Sequence, residues 1–303
     1  MSATRLRAWT SETRVKVLPD CYTCAMRQAV SAARLATDDV FLQHQCATEA
    51  GRIISKTTMD MTPPEAGEEL YAAVRRISGV DDPFREQKQK QNKAVQDLLP
   101  WLRETVAGAD DPLGMAIRLA IAGNAVDPGA QESFDLEQSV TEAFGQEDHL
   151  DDLPAMEAAI VDADDVLLVA DNCGEIVFDL VLLEALRDAG CSRLAVAVRS
   201  GPIINDVTAV EAREVGIDSL AEIIESGMVM PGTLLSKATP EFVEAFEAAD
   251  LVISKGQGNW ETLEDCDRKV FFLLQAKCPG VAKIKGCRVD SPLLIHEPAT
   301  GDR

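Results

Sequence analysis

Asp171 and Asn172 stand side by side directly after an apolar run, residues 166 to 170, that suits a buried strand. A second such run, 193 to 198, leads through "RSGPIIND" to Asp206, and a third, 251 to 254, is followed by "KGQGNWE", which opens with Lys255. Two carboxylates and a side-chain amide are hard oxygen donors of the kind that suits Mg²⁺ or Mn²⁺, and no histidine is placed to favour zinc. Such ions keep several waters and bridge to phosphate oxygens. Lys255 adds a compact positive charge, while Gly256 and Gly258 let backbone N–H groups approach an anion. Together these residue types suit phosphate chemistry.

Three loops can cooperate only if the elements beneath them bring their ends to one place. Apolar runs at 166–170, 193–198, 222–224, 251–254 and 270–274 alternate with helical stretches at 175–189, 205–215 and 240–248, the pattern of βαβ units around a parallel sheet. Thr239 followed by Pro240 marks one helix start. In such a sheet ligands bind beyond the carboxyl ends of the strands, where the three loops stand. The first half reads as helices at 24–36, 63–79, 84–106 and 111–129, with apolar residues three and four apart. The polar stretch 144–154, ending in Pro154, is the expected boundary between a helical domain, 1–150, and an α/β domain, 151–303. A chain of 303 residues exceeds the roughly 100–200 of a typical domain, consistent with two.

The 51 acidic and 29 basic side chains give a formal charge of −22, which repels nucleic acid and anionic membranes. No stretch approaches the ~20 apolar residues of a membrane span, and the first residues lack the apolar block of a secretory signal. The expectation is a soluble, cytoplasmic protein that partners neither nucleic acid nor membranes. The sequence carries no signal for oligomeric state.

Plainer readings stand beside these. Asp171-Asn172 and Asn205-Asp206 both precede helical stretches and suit N-caps, and a glycine-containing strand-to-helix turn is common. A nucleotide-dependent oxidoreductase would need G-x-G-x-x-G at the first strand-to-helix turn, where "DNCGEI" offers one glycine and two carboxylates. Eight cysteines are too dilute for a disulfide scaffold. Cys21 and Cys24 form a C-x-x-C at a helix start, where Asp20 is placed to cap and the dipole lowers a thiol's pKa. A structural zinc there would need Cys278, with Cys287 or Cys46, to complete four ligands. This leaves a thiol or zinc sensor as the alternative function. Cys46, Cys191 and Cys266 read as small buried side chains. His44 falls in a helical stretch and His149 and His296 in polar loops, none with a partner motif.

The ordered set "CYTC", "DDPFREQK", "AIAGNAVD", "DNCGEIVFD", "PIINDVT", "KGQGNWETL" and "AKCP" resembles the metal-dependent damage-control phosphatases, also called acidic-residue methyltransferase-like proteins and long filed as a domain of unknown function. The resemblance implies a helical N-terminal domain on an α/β/α sandwich with a mainly parallel, Rossmann-like sheet. It implies a divalent cation (Mn²⁺, Mg²⁺, Co²⁺ or Ni²⁺) on Asp171, Asn172 and Asp206, with Lys255 at the phosphate of a sugar phosphate or damaged phosphometabolite. Asp171, Asp206, Lys255 and Glu175 are the candidate catalytic residues. Asn124, Asp127, Gly174, Gly256, Gly258 and Asn259 are the candidate substrate-binding positions. The cysteine pattern resembles a mostly microbial branch in which Cys21, Cys24 and Cys278 cluster. No motif here supports a methyltransferase.

Overall fold

The computed structural model describes residues 15–125 and 149–297. From Val166 onward β1 (Asp165–Val169) is an unbroken apolar run because both of its faces are covered. It sends Val166 and Leu168 into one buried cluster and Leu167 and Val169 into the other. β2 (Arg193–Val198), β3 (Glu222–Glu225), β4 (Leu251–Lys255) and β5 (Val270–Gln275) join it in parallel, and β6 (Pro292–Glu297) closes the β5 edge antiparallel. The order is β3-β2-β1-β4-β5-β6. The chain runs outward from β1 to β3 and then crosses back to place β4 on the other side of β1. The loops after β1 and β4 therefore part and leave a crevice.

Helices cover both faces, as the resemblance implies. Side chains of α4 (Arg85–Gln96), α5 (Leu99–Ala107), α6 (Pro112–Ala125), α7 (Leu153–Val161), α8 (Glu175–Asp188) and α9 (Ala209–Val215) share one apolar cluster with the sheet. On the other face Phe242 and Phe246 of α10 (Pro240–Ala248), Trp260 of α11 (Gln257–Leu263) and Val281 of α12 (Pro279–Lys285) pack on Val169, Val252 and Phe272. α1 (Pro19–Ala36), α2 (Val40–Ile54) and α3 (Pro63–Ser78) pack around Leu70 and the small side chains Ala29, Ala32, Ala33, Cys46 and Ala50, which bring the helices close. Thr62 and Glu65 cap α3 reciprocally, a device worth about 1 kcal/mol. Thr239 caps α10 as its sequence indicates.

The loop after β2 is tied to this helical unit. Ile203 sits among Ala32, Tyr71, Val74 and Phe84, and Arg75 donates to the Pro202 carbonyl at 2.8 Å. Ile204, next along, has φ +43°, a rare conformation for a β-branched residue.

Several expectations change. The stretch 84–106 is two helices, because Pro100 lacks an N–H and its ring clashes with the carbonyl four residues back, at Gln96, where α4 stops. The helix expected from 205 starts at Ala209, after Thr208. α7, α11, α12 and β6 are additional elements. His296, expected in a polar loop, lies on β6 with its ring stacked on Phe271 at 4.3 Å. Among the described residues no helix is long and apolar enough to cross a membrane. The helical stretch expected over 111–129 is described through Ala125, and Asp127 lies outside the described residues.

Candidate functional site

Backbone hydrogen bonds stitch the loop after β1 to the loop after β2. Asp171 O accepts from Val207 N at 2.9 Å, Cys173 N donates to Asn205 O at 2.8 Å, and Asn172 and Asp206 pair as an isolated antiparallel bridge. Asp171, Asn172 and Asp206 are thus brought together at the crevice. Neither pair caps a helix: Gly174, at φ +82°, precedes α8 without a side-chain cap, and α9 is capped by Thr208 and Glu211.

Arg199, not singled out by the sequence, organises these groups. It is 2% exposed, and its Nε donates to Asp206 Oδ2 at 2.7 Å while Nη2 lies 3.9 Å from Asp171 Oδ1. Its remaining donors reach Gly232 O, Thr233 Oγ1 and Asn259 Oδ1 at 2.9 to 3.0 Å. The available signal was its place, the first residue after a buried strand on the crevice side. Asn124, the penultimate residue of α6, donates to Glu175 Oε2 at 2.8 Å and Asp171 Oδ2 at 3.3 Å and accepts from Gln275 N at 2.9 Å. It is therefore tied to both crevice carboxylates. Asn172 Nδ2 donates to Asp171 Oδ2 at 2.5 Å.

Other candidates are placed differently. Lys255 is fully buried, with Nζ 2.6 Å from both Glu175 Oε1 and Asp179 Oδ1 and 2.9 Å from Ala120 O. An ammonium has three donors, so this amine has none left for a phosphate. Burial opposes its charge, but Asp179 and Glu175 outweigh that and hold its pKa above the usual value. Asn259 is also fully buried, accepting from Arg199 and Thr233 and donating to Ala170 O and Lys255 O. It joins β1 to β4, with its amide oxygen and nitrogen both engaged within the protein. The N–H of Gly174 goes to Asn92 Oδ1 and that of Gly256 to Leu273 O. Gly256 is needed for another reason: at φ +81° it lies so close to Asp171 that a Cβ would come 1.9 Å from Oδ2. A Cβ on Gly258 would meet Pro231 O, so that glycine admits a neighbouring loop.

Lys277 supplies the charge that Lys255 does not. It follows β5, its side chain is exposed, and its field acts on both Asp171 and Asp206. Burial, reinforced by Asp206 and Glu175, pushes Asp171 up to about 7. Burial also raises Asp206, against Arg199. Both carboxyls therefore hold a proton more readily than a free aspartate, burial being the largest cause. Among the described residues no three His, Cys, Asp or Glu side chains are placed to hold a metal ion between them. The donor set is two carboxylates and an amide, which fits a hard cation that keeps its waters.

The thiols stand apart from this set. All eight cysteines are free, with Cys46, Cys191 and Cys266 buried as expected. Cys21 accepts from Leu18 N at 3.4 Å, and Cys278 caps α12. Burial raises the Cys21 pKa above its ordinary value, with Glu261, Cys278 and Cys24 adding to the rise, so the expected lowering at a helix start is overturned. Asp20 lies inside the first turn of α1 and does not cap it.

The chain matches the damage-control phosphatase ARMT1-like domain over residues 17–293. It is 32% identical over 272 residues to a damage-control phosphatase of Pyrococcus horikoshii, covering 89% of this chain and 94% of that one. It is likewise 32% identical over 281 residues to a damage-control phosphatase of Archaeoglobus fulgidus, covering 91% and 97%. The crystal structure of a DUF89 family protein from Pyrococcus horikoshii superposes with a TM-score of 0.87 at 30% identity, covering 93% of this chain and 99% of that chain. With the strand order, the stitched acidic loops and these matches in agreement, the chain belongs to the ARMT1-like damage-control phosphatase family.

Proposed function

We propose that the protein is a divalent-metal-dependent phosphatase that hydrolyses small phosphomonoesters, such as sugar phosphates or damaged phosphometabolites. The observation that carries this reading is the junction of Asp171, Asn172 and Asp206 at the strand ends, where burial and the neighbouring carboxylates disfavour the ionised form of Asp171. A phosphate dianion would be repelled by such a crevice in a chain of charge −22. A cation on these oxygens would reverse that. Asp171, Asn172 and Asp206 would hold Mg²⁺, Mn²⁺, Co²⁺ or Ni²⁺, which when bound polarises a phosphoryl oxygen and acidifies a water.

The chain's own residues divide the remaining work. Arg199 holds Asp206 in place. Asn124 orients Asp171 and Glu175. Lys255 fixes Glu175 from below and acts on the phosphate only through it. Lys277 is the exposed cation that would meet the phosphoryl oxygens and offset charge as it develops. The relatives named damage-control phosphatase support the reaction class.

The test is release of phosphate from p-nitrophenyl phosphate by metal-stripped protein with and without added Mn²⁺. Activity should require the ion, and Asp171→Ala should lose it while melting cooperatively. Lys277→Ala should raise KM about tenfold with a smaller change in kcat, the signature of lost binding. Undiminished turnover by Asp171→Ala refutes the reading.

A further inference from the structure

The buried face of α4 is polar. Lys88, Gln91 and Asn92, spaced i, i+3 and i+4 on one helix face, are 1, 1 and 5% exposed. Read alone, "KQKQN" is a solvated stretch. Burying such groups is costly unless their hydrogen bonds are made, and each of these three reaches a different point on the stitched loops. Asn92 Oδ1 accepts from Gly174 N at 2.6 Å, two residues beyond Asn172. Gln91 Oε1 accepts from Asn205 Nδ2 at 3.1 Å, the residue before Asp206. Lys88 Nζ lies 2.7 Å from Glu211 Oε1, and Oε2 of that same carboxylate accepts from Thr208 N at 2.9 Å, two residues beyond Asp206.

We infer that α4 is a brace that sets the loop of Asp171 and Asn172 against the loop of Asp206, and that Asn92 is a positioning residue for cation binding. This rests on the metal-site reading above. Asn92 contributes its acceptor alone, since among the described residues its Nδ2 has no hydrogen-bond partner. An apolar residue of the same volume therefore removes one unpaired group while freeing the Gly174 N–H, with little net effect on stability. A residue that serves only the fold would affect binding and melting together; a positioning residue separates them.

The experiment is a calorimetric Mn²⁺ titration of the metal-stripped full chain, with amide hydrogen exchange measured without metal. Asn92→Leu should weaken Mn²⁺ tenfold or more, in the range for groups that orient metal ligands. It should also speed exchange at residues 172–175 at least tenfold, and melt within a few degrees of the parent. Asn92→Asp keeps the acceptor and should bind within threefold of the parent. Val95→Ala, one turn along the same face, should lower the melting temperature more than either and leave Mn²⁺ affinity unchanged. The brace is overturned if Asn92→Leu binds within threefold of the parent, if its loop exchange is unchanged, or if Val95→Ala weakens binding as much. Failure of the parent itself to bind Mn²⁺ overturns the metal-site reading instead, and exchange in Asn92→Leu then decides the brace by itself.

Discussion

Replacing Gly256 by alanine separates the fold from the site. At φ +81° and ψ 156° the residue occupies a region that is almost exclusive to glycine, so any side chain costs about 1–3 kcal/mol in backbone strain. For a chain of this size that corresponds to roughly 2–5 °C in melting temperature. The larger effect is local. The new Cβ would lie 1.9 Å from Asp171 Oδ2, whereas ordinary contact begins at 3.4 Å, so the carboxylate must retreat by about 1.5 Å. That carries it away from Asn124 and Asn172, and a displacement near 1 Å costs about 10²-fold in rate. Gly256→Ala should therefore remain folded at 25 °C, lose about 100-fold in kcat/KM on p-nitrophenyl phosphate, and bind Mn²⁺ at least tenfold more weakly. Gly190→Ala is the control: its φ is +113°, yet a Cβ there meets nothing within 4 Å. It should show a comparable thermal loss with full activity. Wild-type kinetics in Gly256→Ala, or an equal loss in Gly190→Ala, would refute the argument.

Two further outcomes follow from the same charges. Arg199→Met strands Asp206, and partly Asp171, as buried carboxylates, a loss of ~3–5 kcal/mol; paired melts should show Mn²⁺ restoring more stability to this variant than to the parent, and an equal gain in both would count against a cation at these oxygens. Without metal the folded chain holds a proton on Asp171 up to about 7, whereas the unfolded chain releases it near the ordinary value of 3.8. The unfolded state then binds fewer protons across that window, so this group's contribution to stability falls as pH rises from about 4 to about 7. Mn²⁺ should accordingly raise the melting temperature more at pH 8 than at pH 5.5, and identical shifts would exclude Asp171 from the site.

The strands and the donors at their ends were legible because a parallel sheet covered on both faces needs unbroken apolar runs, and polar residues that interrupt them mark the crevice. Asp171, Asn172 and Asp206 stand out on that basis, whereas Asn124, on a helix, was marked only by the resemblance of its motif. Lys255 misled, because a lysine at a strand end looks alike whether its amine faces a ligand or two carboxylates 76 and 80 residues earlier in the chain. Asn259 misled for the same reason, its amide being used up between two strands. Arg199 and Lys277 escaped notice because their value lies in distant neighbours. The two-helix break at Gln96 was readable from Pro100 and was passed over in favour of the apolar spacing around it.

The attachment of Pro202 and Ile203 to α1–α3 means that the acid-bearing sheet is not a portable unit. A chain trimmed to the sandwich would strip Ile203 of its socket and Pro202 of its arginine clasp, slackening the segment that ends at Asp206. The reverse also holds for anyone reshaping this molecule. Changing the bulk of Val74 or Phe84, neither of which carries charge, would shift Asp206 by remote control, through three residues of backbone, and with it any ion affinity the proposed site has.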